Sequence, residues 1–260
     1  MPDSDGKTAG RIKPQAAAPP AKPEATAFYA EAIQMLLASG IPFLLGGTYA
    51  FSAYTGIVRP TKDLDVCCAP GDKPRILAWF HERGYQVVTE DERWLGKIIK
   101  DDDFVDVIFA SPTGTMTVGE SWFANAHETE LFGTRVRLVG PTELIWSKCF
   151  IQLRHRYDGA DIAHLFLRAH DLVNWRQLLA YMDAHWEVLL IHLLNFRWIY
   201  PAERDRVPAW LLDELLDRLA KQRELAPPRV AICRGRIYSR IDYEVDVTEW
   251  GLRDACDGRE

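Results

Sequence analysis

Cysteine is scarce in this sequence, and the cysteines present have no spacing typical of a cross-link or a zinc site. The chain has five cysteines in 260 residues, an odd number, without a Cys-x-x-Cys pair or a nearby histidine arrangement. A disulfide framework and a zinc centre are therefore not expected. We interpret Cys67, Cys68 and Cys149 as small buried hydrophobic residues. This pattern favours a reducing compartment, and we predict a cytoplasmic protein.

Long apolar runs are also missing, and so is an excess of basic residues. The apolar run at residues 188–194 is short and contains His192, so we expect no membrane-spanning helix. Residues 1–25 have no apolar core of the kind found in secretory signals. A formal net charge of −6 opposes a broad surface for duplex nucleic acid but is compatible with a local basic cleft.

What the chain does have is enough apolar content for a substantial core, since 48% of its 260 residues are hydrophobic. Residues 1–25 are rich in Ala, Pro, Lys and Asp and are predicted to form a disordered tail. Strand and helix patterns alternate over residues 26–139, and only helical patterns follow over residues 140–260. We therefore predict an α/β (α+β) fold, with a mixed sheet flanked by helices and a C-terminal helical domain.

The most informative segment begins with the glycine pair Gly46-Gly47. The apolar run Phe43-Leu44-Leu45 precedes it, and residues 48–54 space apolar side chains as a helix does. A strand that enters a helix through glycines leaves the first helical N–H groups free to bind phosphate, with the Thr48 hydroxyl beside them. An ordinary strand-to-helix turn would show the same pattern.

Two carboxylates follow, one residue apart. Asp63-Leu64-Asp65-Val66-Cys67-Cys68 is predicted to be a strand, in which residues i and i+2 point to the same face. Asp63 and Asp65 would then repel each other unless a cation lay between them, and a divalent metal ion is the natural partner. The alternative is a solvated polar strand entrance, but downstream of a glycine turn we favour the metal site.

A third carboxylate lies in the apolar run Phe104-Val105-Asp106-Val107-Ile108-Phe109. The alternation places Asp106 on one face with Phe104 and Ile108, and an ionised aspartate is costly there unless it is paired or bound to metal. Residues 101–103 are interpreted as the turn before the strand. The competing interpretation is a strand-end aspartate that reaches water.

Together, Gly46-Gly47, the run Arg59-Pro60-Thr61-Lys62-Asp63-Leu64-Asp65 and the later strand aspartate resemble the signature of the polymerase-beta-like nucleotidyltransferase superfamily. The similarity is greatest to its small bacterial members, the antibiotic nucleotidyltransferases and the toxins of abortive-infection and toxin-antitoxin systems. It spans residues 41–110 and continues more loosely to residue 168. The resemblance implies a nucleotidyltransferase catalytic domain over residues 26–139.

The resemblance also implies roles for single residues. Asp63 and Asp65 would hold two Mg2+ ions, and Asp106 would complete the site nearest the attacking hydroxyl. The residues implied to hold the β and γ phosphates of an NTP are Gly46, Gly47 and Thr48. Two metal ions can activate an attacking oxygen and stabilise the leaving pyrophosphate, which leaves the protein to position groups and neutralise charge.

A second group of charged residues follows the pattern Lys-x5-Arg-x-Arg-x-Asp-x2-Asp and comprises Lys148, Arg154, Arg156, Asp158 and Asp161. Residues 141–148 are predicted to form a helix. In toxin-like members of the family a lysine contacts the nucleotide phosphates and a later aspartate helps to form the site, which implies a nucleotide-binding role for Lys148. A surface helix with mixed charges would contain the same residues.

Two further groups of basic residues have open interpretations. Arg59 and Lys62 would neutralise phosphate charge, or Arg59 would brace its loop through backbone carbonyls, which we prefer. The basic cluster between Arg229 and Arg240 could touch a nucleotide or nucleic-acid phosphate. The preferred alternative for this cluster is a terminal helix that packs on the body of the protein and is capped by Ser239.

Three functions fit the sequence. The preferred one is Mg2+-dependent transfer of an NMP from an NTP to an acceptor, which is a small molecule, a protein or tRNA, with release of pyrophosphate. The second is a catalytically inactive nucleotide-binding regulatory module. The third is an interaction protein whose tryptophan-rich helical half binds a protein partner.

Overall fold

The structure, a computed structural model, describes residues 22–256. Most of the predicted tail, residues 1–21, lies outside the described residues. The first helix, α1, begins at Pro23, where the fixed φ angle of proline suits the first helical turn. The last residues of the predicted tail, 23–25, therefore belong to α1. Two other side chains of α1, Phe28 and Tyr29, are buried in the core.

One mixed sheet of seven strands forms the centre of the fold. Its strands in chain order are β1 (Leu44–Leu45), β2 (Asp63–Cys67), β3 (Gln86–Asp91), β4 (Leu95–Lys100), β5 (Asp103–Ile108), β6 (His127–Leu131) and β7 (Thr134–Leu138). Their spatial order is β3-β4-β5-β2-β1-β7-β6. β2 is parallel to β5 and β1 to β7, whereas the other neighbouring pairs of these strands are antiparallel. The α/β fold predicted from the sequence is confirmed.

Helices cover the sheet and make up most of the chain that follows it. Those in the described residues are α1 (Pro23–Ser39), α2 (Gly47–Thr55), α3 (Lys73–His81), α4 (Glu120–Ala124), α5 (Pro141–Lys148), α6 (Gly159–Ala169), α7 (Trp175–Tyr181), α8 (Trp186–Ile199), α9 (Ala209–Arg223) and α10 (Glu244–Thr248). Gly40 and Gly56 follow the ends of α1 and α2 with φ angles of 67° and 75°, a left-handed conformation that glycine adopts without strain. None of the helices within residues 22–256 combines the length and the apolar character needed to cross a bilayer.

The expectation of helices alone after residue 139 is wrong. β8 (Gln152–Leu153) pairs antiparallel with β9 (Arg156–Tyr157), and β10 (Ile232–Cys233) pairs parallel with β11 (Arg253–Asp254). Strands of two residues are too short to show an alternating pattern, so the sequence gives no sign of them. The expected Ser239 cap is also wrong, because its hydroxyl accepts from the Asp242 amide in a turn that precedes α10.

β2 and β5 show the alternation that positions the candidate site. On one face of these strands the apolar side chains are fully buried; they are Leu64, Val66, Val105 and Val107. On the other face, Asp63, Asp65 and Asp106 are partly exposed. In the parallel register Asp65 lies opposite Asp106. The burial of one face therefore fixes the direction in which the acids point.

A single apolar core runs through both halves of the chain. α2 packs on β2 and on the helices α5 and α6. Its Phe51 and Tyr54 are buried, and the Tyr54 hydroxyl donates to the Val139 carbonyl at 2.9 Å. Apolar contact therefore crosses the predicted domain boundary between residues 139 and 140.

Candidate active site

The glycine pair forms the turn between β1 and α2. The Gly46 amide donates to the Asp65 carbonyl at 2.9 Å, and Gly47 begins the helix with a φ angle of 49°. A Cβ atom on Gly47 would lie 1.6 Å from Asp65 Oδ2. Glycine is required here both for the left-handed backbone and for the close approach of the carboxylate. The first amides of an α-helix such as α2 have no acceptor within the helix.

The three aspartates singled out in the sequence converge beside this turn. One oxygen from each of Asp63, Asp65 and Asp106 lies within 4.8 Å of the others. β2 presents Asp63 and Asp65 on one face, and the register with β5 brings Asp106 level with Asp65. Thr61 Oγ1 donates to an Asp63 carboxylate oxygen at 2.7 Å and restrains that side chain. Carboxylates from two strands thus form one acidic cluster.

Burial and mutual repulsion make this cluster electrostatically costly. Burial, followed by the charges of Asp63 and Asp106, raises the pKa of Asp65 well above its usual range, while the positive charges of Lys148 and Arg156 act in the opposite direction. Burial also raises the pKa of Asp106, against the hydrogen bond that it accepts from Lys97. A cluster in this state is stabilised by a cation.

The ammonium group of Lys97 lies beside the acidic cluster. Lys97 lies on β4 directly opposite Asp106, and its Nζ donates to Asp106 Oδ1 at 2.6 Å. The same ammonium group lies 4.1 Å from the centroid of the Phe104 ring. Positive charge is thus already accommodated at the edge of the cluster. Three carboxylates within reach of one another supply the oxygen ligands that Mg2+ prefers, so the residues fit a divalent metal ion.

The predicted site residues share one cavity of about 620 Å³. Those that line it are Gly46, Gly47, Thr48, Asp63, Asp65, Asp106 and Lys148. Cys67, two residues after Asp65 on β2, also lines the cavity and has a free thiol. The volume is in the range of cavities that enclose small-molecule ligands.

Lys148 is held by carboxylates rather than free in the cavity. Its Nζ lies 2.7 Å from Asp158 Oδ2 and 2.8 Å from Asp161 Oδ2, and all three side chains are buried. Arg59 donates to both oxygens of Asp161, at 2.7 and 2.8 Å. Arg59 therefore braces its loop through a side-chain carboxylate, not through the backbone carbonyls that we preferred. Burial would raise the pKa of Asp158, but hydrogen bonds from Arg156 and Lys148 and their charges hold it below its usual range.

Arg156 lines the cavity, although sequence reasoning gave it no separate role. Its Nε donates to Asp158 Oδ1 at 3.1 Å, while 59% of its side chain stays exposed. The hydrogen bond to Asp158 and the nearby charges of Asp65 and Asp63 raise the pKa of Arg156, although burial opposes this. The β8–β9 hairpin carries Arg156 to this position. The two-residue strands of this hairpin leave no periodic pattern in the sequence. Only the Arg-x-Arg spacing could have indicated a site role for Arg156.

A C-terminal segment closes another side of the cavity. Its lining residues are Arg236, Ile237, Tyr238, Ser239 and Arg240. Arg236 is anchored by an ion pair with Asp254 at 2.7 Å. Gly235 allows the turn, because a Cβ atom there would lie 2.2 Å from the Tyr243 ring. Part of the basic cluster noted in the sequence therefore faces the same cavity as the acids, whereas Arg234 pairs with Glu187 outside it.

Comparisons with known proteins give structural neighbours but no sequence family. No protein-family model matches the chain, and a search of curated proteins gave no match. Among solved structures, ANT(2″)-Ia in complex with adenylyl-2″-tobramycin has 17% identity and a TM-score of 0.43, with 67% of this chain and 98% of that chain covered. The lincomycin-bound lincosamide antibiotic adenylyltransferase LnuA has 15% identity and a TM-score of 0.40, with coverages of 55% and 95%.

A third similar structure is an antigenic nucleotidyltransferase-like protein from Paracoccidioides brasiliensis. It has 16% identity and a TM-score of 0.43, with 73% of this chain and 94% of that chain covered. These structures are of the class that the sequence resemblance names.

Proposed function

We propose that the chain is a Mg2+-dependent nucleotidyltransferase that moves an NMP from an NTP to a hydroxyl group on an acceptor and releases pyrophosphate. The observation that carries the proposal is the convergence of Asp63, Asp65 and Asp106 within 4.8 Å. Gly47 and Thr48, the first residues of α2, line the same cavity, which supports binding of a triphosphate beside these acids.

Each group in the cavity has a chemical role in this proposal. The amides of Gly47 and Thr48, at the positive end of the α2 dipole, donate to phosphate oxygens of the NTP. Asp63, Asp65 and Asp106 would hold the metal. When bound, Mg2+ would neutralise charge on the transferred phosphate and favour ionisation of the attacking hydroxyl. Arg156, exposed in the cavity wall, neutralises charge that develops on the leaving pyrophosphate.

Transfer of label from an α-labelled NTP tests the proposal. The full chain would be incubated with Mg2+ and a panel of acceptors that includes small hydroxyl compounds, tRNA and proteins. We expect transfer by the wild type and loss of transfer in the variant with Asp63→Asn and Asp65→Asn. Asp102→Asn is the matched control, since it removes an exposed carboxylate in the turn before β5 and should retain activity.

Two other outcomes separate the competing functions. Binding of NTP and Mg2+ without transfer to any acceptor in the panel would favour the regulatory module. Failure to bind NTP and Mg2+ by calorimetry would contradict the proposal and favour an interaction protein.

A further inference from the structure

The part of the cavity wall that lies outside the glycine turn and the acids is mainly aromatic and apolar. We call six of these residues the apolar wall: Trp94, Met116, Trp146, Phe150, Leu153 and Tyr238. These residues come from β8, loops, α5 and the C-terminal segment, so no single element accounts for the composition. A bound group that covers them must offer apolar or aromatic surface in return.

The charges of the cavity are distributed unevenly. Among the described lining residues, the carboxylates are Asp63, Asp65 and Asp106, which the metal would engage. The other charged lining residues are the cations Lys148, Arg156, Arg236 and Arg240. Carboxylates already pair with Lys148, Arg156 and Arg236. Arg240 has no ion pair or hydrogen bond with any residue in the range 22–256.

Two tryptophans that line the cavity have indole N–H groups without a partner among the described residues. Within the described part of the chain, Trp122 Nε1 and Trp146 Nε1 are buried and have no hydrogen-bond acceptor. Both residues line the cavity, and their ring centroids lie 6.2 Å apart. An indole N–H can only donate, so the missing partner is an acceptor oxygen or nitrogen. Arg240 is the lining cation that a negatively charged ligand would pair with.

We infer that the acceptor in the proposed reaction is a hydroxyl compound with an aromatic or apolar body and a negatively charged group, and that Arg240 pairs with this group. The inference rests on the proposed function. The four cations of the cavity wall would repel a polycationic acceptor. Once metal is bound, no carboxylate among the described lining residues would be free to pair with such an acceptor. The charge of the cavity therefore selects against it.

Three phenols that differ mainly in charge test this inference. They are 4-hydroxyphenylacetate, its neutral amide 4-hydroxyphenylacetamide, and the cationic amine tyramine. Calorimetry would first establish binding of a nonhydrolysable NTP with Mg2+ to the full chain, and each phenol would then be titrated into that complex. We expect the anion to bind best and the cation worst, with about a tenfold ratio between their dissociation constants.

Two arginine variants identify the group responsible. Arg240→Gln should reduce the anion-to-cation ratio to about one, because a removed ion pair no longer discriminates charge. Arg234→Gln is the control, since Arg234 pairs with Glu187 at 3.6 Å and does not line the cavity, so it should leave the ratio unchanged. NTP affinity should be unaffected in both variants.

The outcomes distinguish failure of the inference from failure of the proposed function. Absence of NTP binding in the first step would contradict both. If NTP binds but tyramine binds as well as the anion, or no phenol binds, the inference is wrong and the proposed function stands. If Arg240→Gln weakens NTP binding instead of the charge preference, Arg240 contacts the nucleotide and the acceptor assignment is overturned.

Discussion

At the scale of single residues, Asp65 lies among like charges. It is surrounded by Asp63 and Asp106, its carboxylate lies against the Gly47 backbone, and its pKa is raised by burial and by its acidic neighbours. Because the folded pKa is raised, the folded protein binds this proton more tightly than the unfolded chain does. The free energy of unfolding of the metal-free protein therefore falls as the pH rises above the ordinary aspartate pKa of about 3.9.

The first prediction concerns Asp65→Asn. In metal-free buffer at neutral pH this variant should be more stable than the wild type by on the order of 1 kcal/mol, or about 3 °C in melting temperature for a chain of this size. Its stability should also fall less between about pH 5 and about pH 8. Thermal melts at both pH values check this. Added Mg2+ should raise the melting temperature of the wild type only, and a less stable variant at high pH would contradict the account.

The second prediction concerns Gly47→Ala. The φ angle of 49° makes any side chain costly, and the added Cβ would collide with the Asp65 carboxylate. We expect loss of Mg2+ and NTP binding, measured by calorimetry, and a loss of stability larger than the about 1 kcal/mol that the left-handed backbone alone costs. Gly56→Ala is the control, because its φ is 75° and nothing lies within 4 Å of the added Cβ. It should lose stability but keep the site.

At the scale of secondary-structure elements, a chain of ion pairs fastens α5 and α6 to the loop before β2. Asp161 of α6 binds Lys148 of α5 and Arg59 of the loop, and Asp158, which precedes α6, binds Lys148 and Arg156. Lys148 therefore lies between two carboxylates, each of which has a second cationic partner. Such a network fixes the relative positions of these elements.

The third prediction follows for Lys148→Met. Removal of one partner from an isolated buried ion pair costs about 3–5 kcal/mol, and we expect a smaller loss here because Arg59 and Arg156 remain. Chemical denaturation measures this. If Lys148 acts only in the framework, NTP affinity should change little in the folded variant. A large loss of NTP affinity with unchanged stability would restore the phosphate-contacting role that the family resemblance implies.

The acidic cluster was predictable because each of its elements has a strong local pattern. Leu64, Val66, Val105 and Val107 alternate with the acids, so burial of one face determines where the carboxylates point. The glycine pair likewise marks the end of β1. The positions of Arg156 and of residues 236–240 were not predictable. They depend on two-residue strands and on a turn fixed by tertiary packing against Tyr243, which leave no periodic signal.

At the scale of the whole molecule, the core joins the two domains predicted from the sequence. Phe51 of α2 and Phe166 of α6 belong to the same buried cluster. The ring of Phe166 also contacts the ring of Phe196 in α8, with their centroids 5.7 Å apart. Elements that share a core unfold together when neither half can bury its apolar face alone. The division after residue 139 remains a prediction about where the sequence patterns change.

The fourth prediction is that Phe166→Ala destabilises both halves. Phe166 has no exposed surface, so its truncation should cost about 3–5 kcal/mol. Hydrogen exchange should show reduced protection in β5 as well as in α8. Trp198→Ala is the control: this side chain is 85% exposed, and its loss should change stability by less than about 0.5 kcal/mol. Reduced protection confined to residues after 139 would indicate independently folding domains.

The rate at which the Cys67 thiol is alkylated can report whether the cavity holds a ligand. This thiol stands in the wall of the cavity, two positions along β2 from Asp65, whereas no other cysteine of the described chain lines that space. Burial and the adjacent acid keep the pKa of the Cys67 thiol well above its ordinary value, so alkylating reagents will label it slowly. A compound that binds next to the carboxylates should slow this alkylation further. Candidate substrates can therefore be screened by alkylation rate before any turnover is measured.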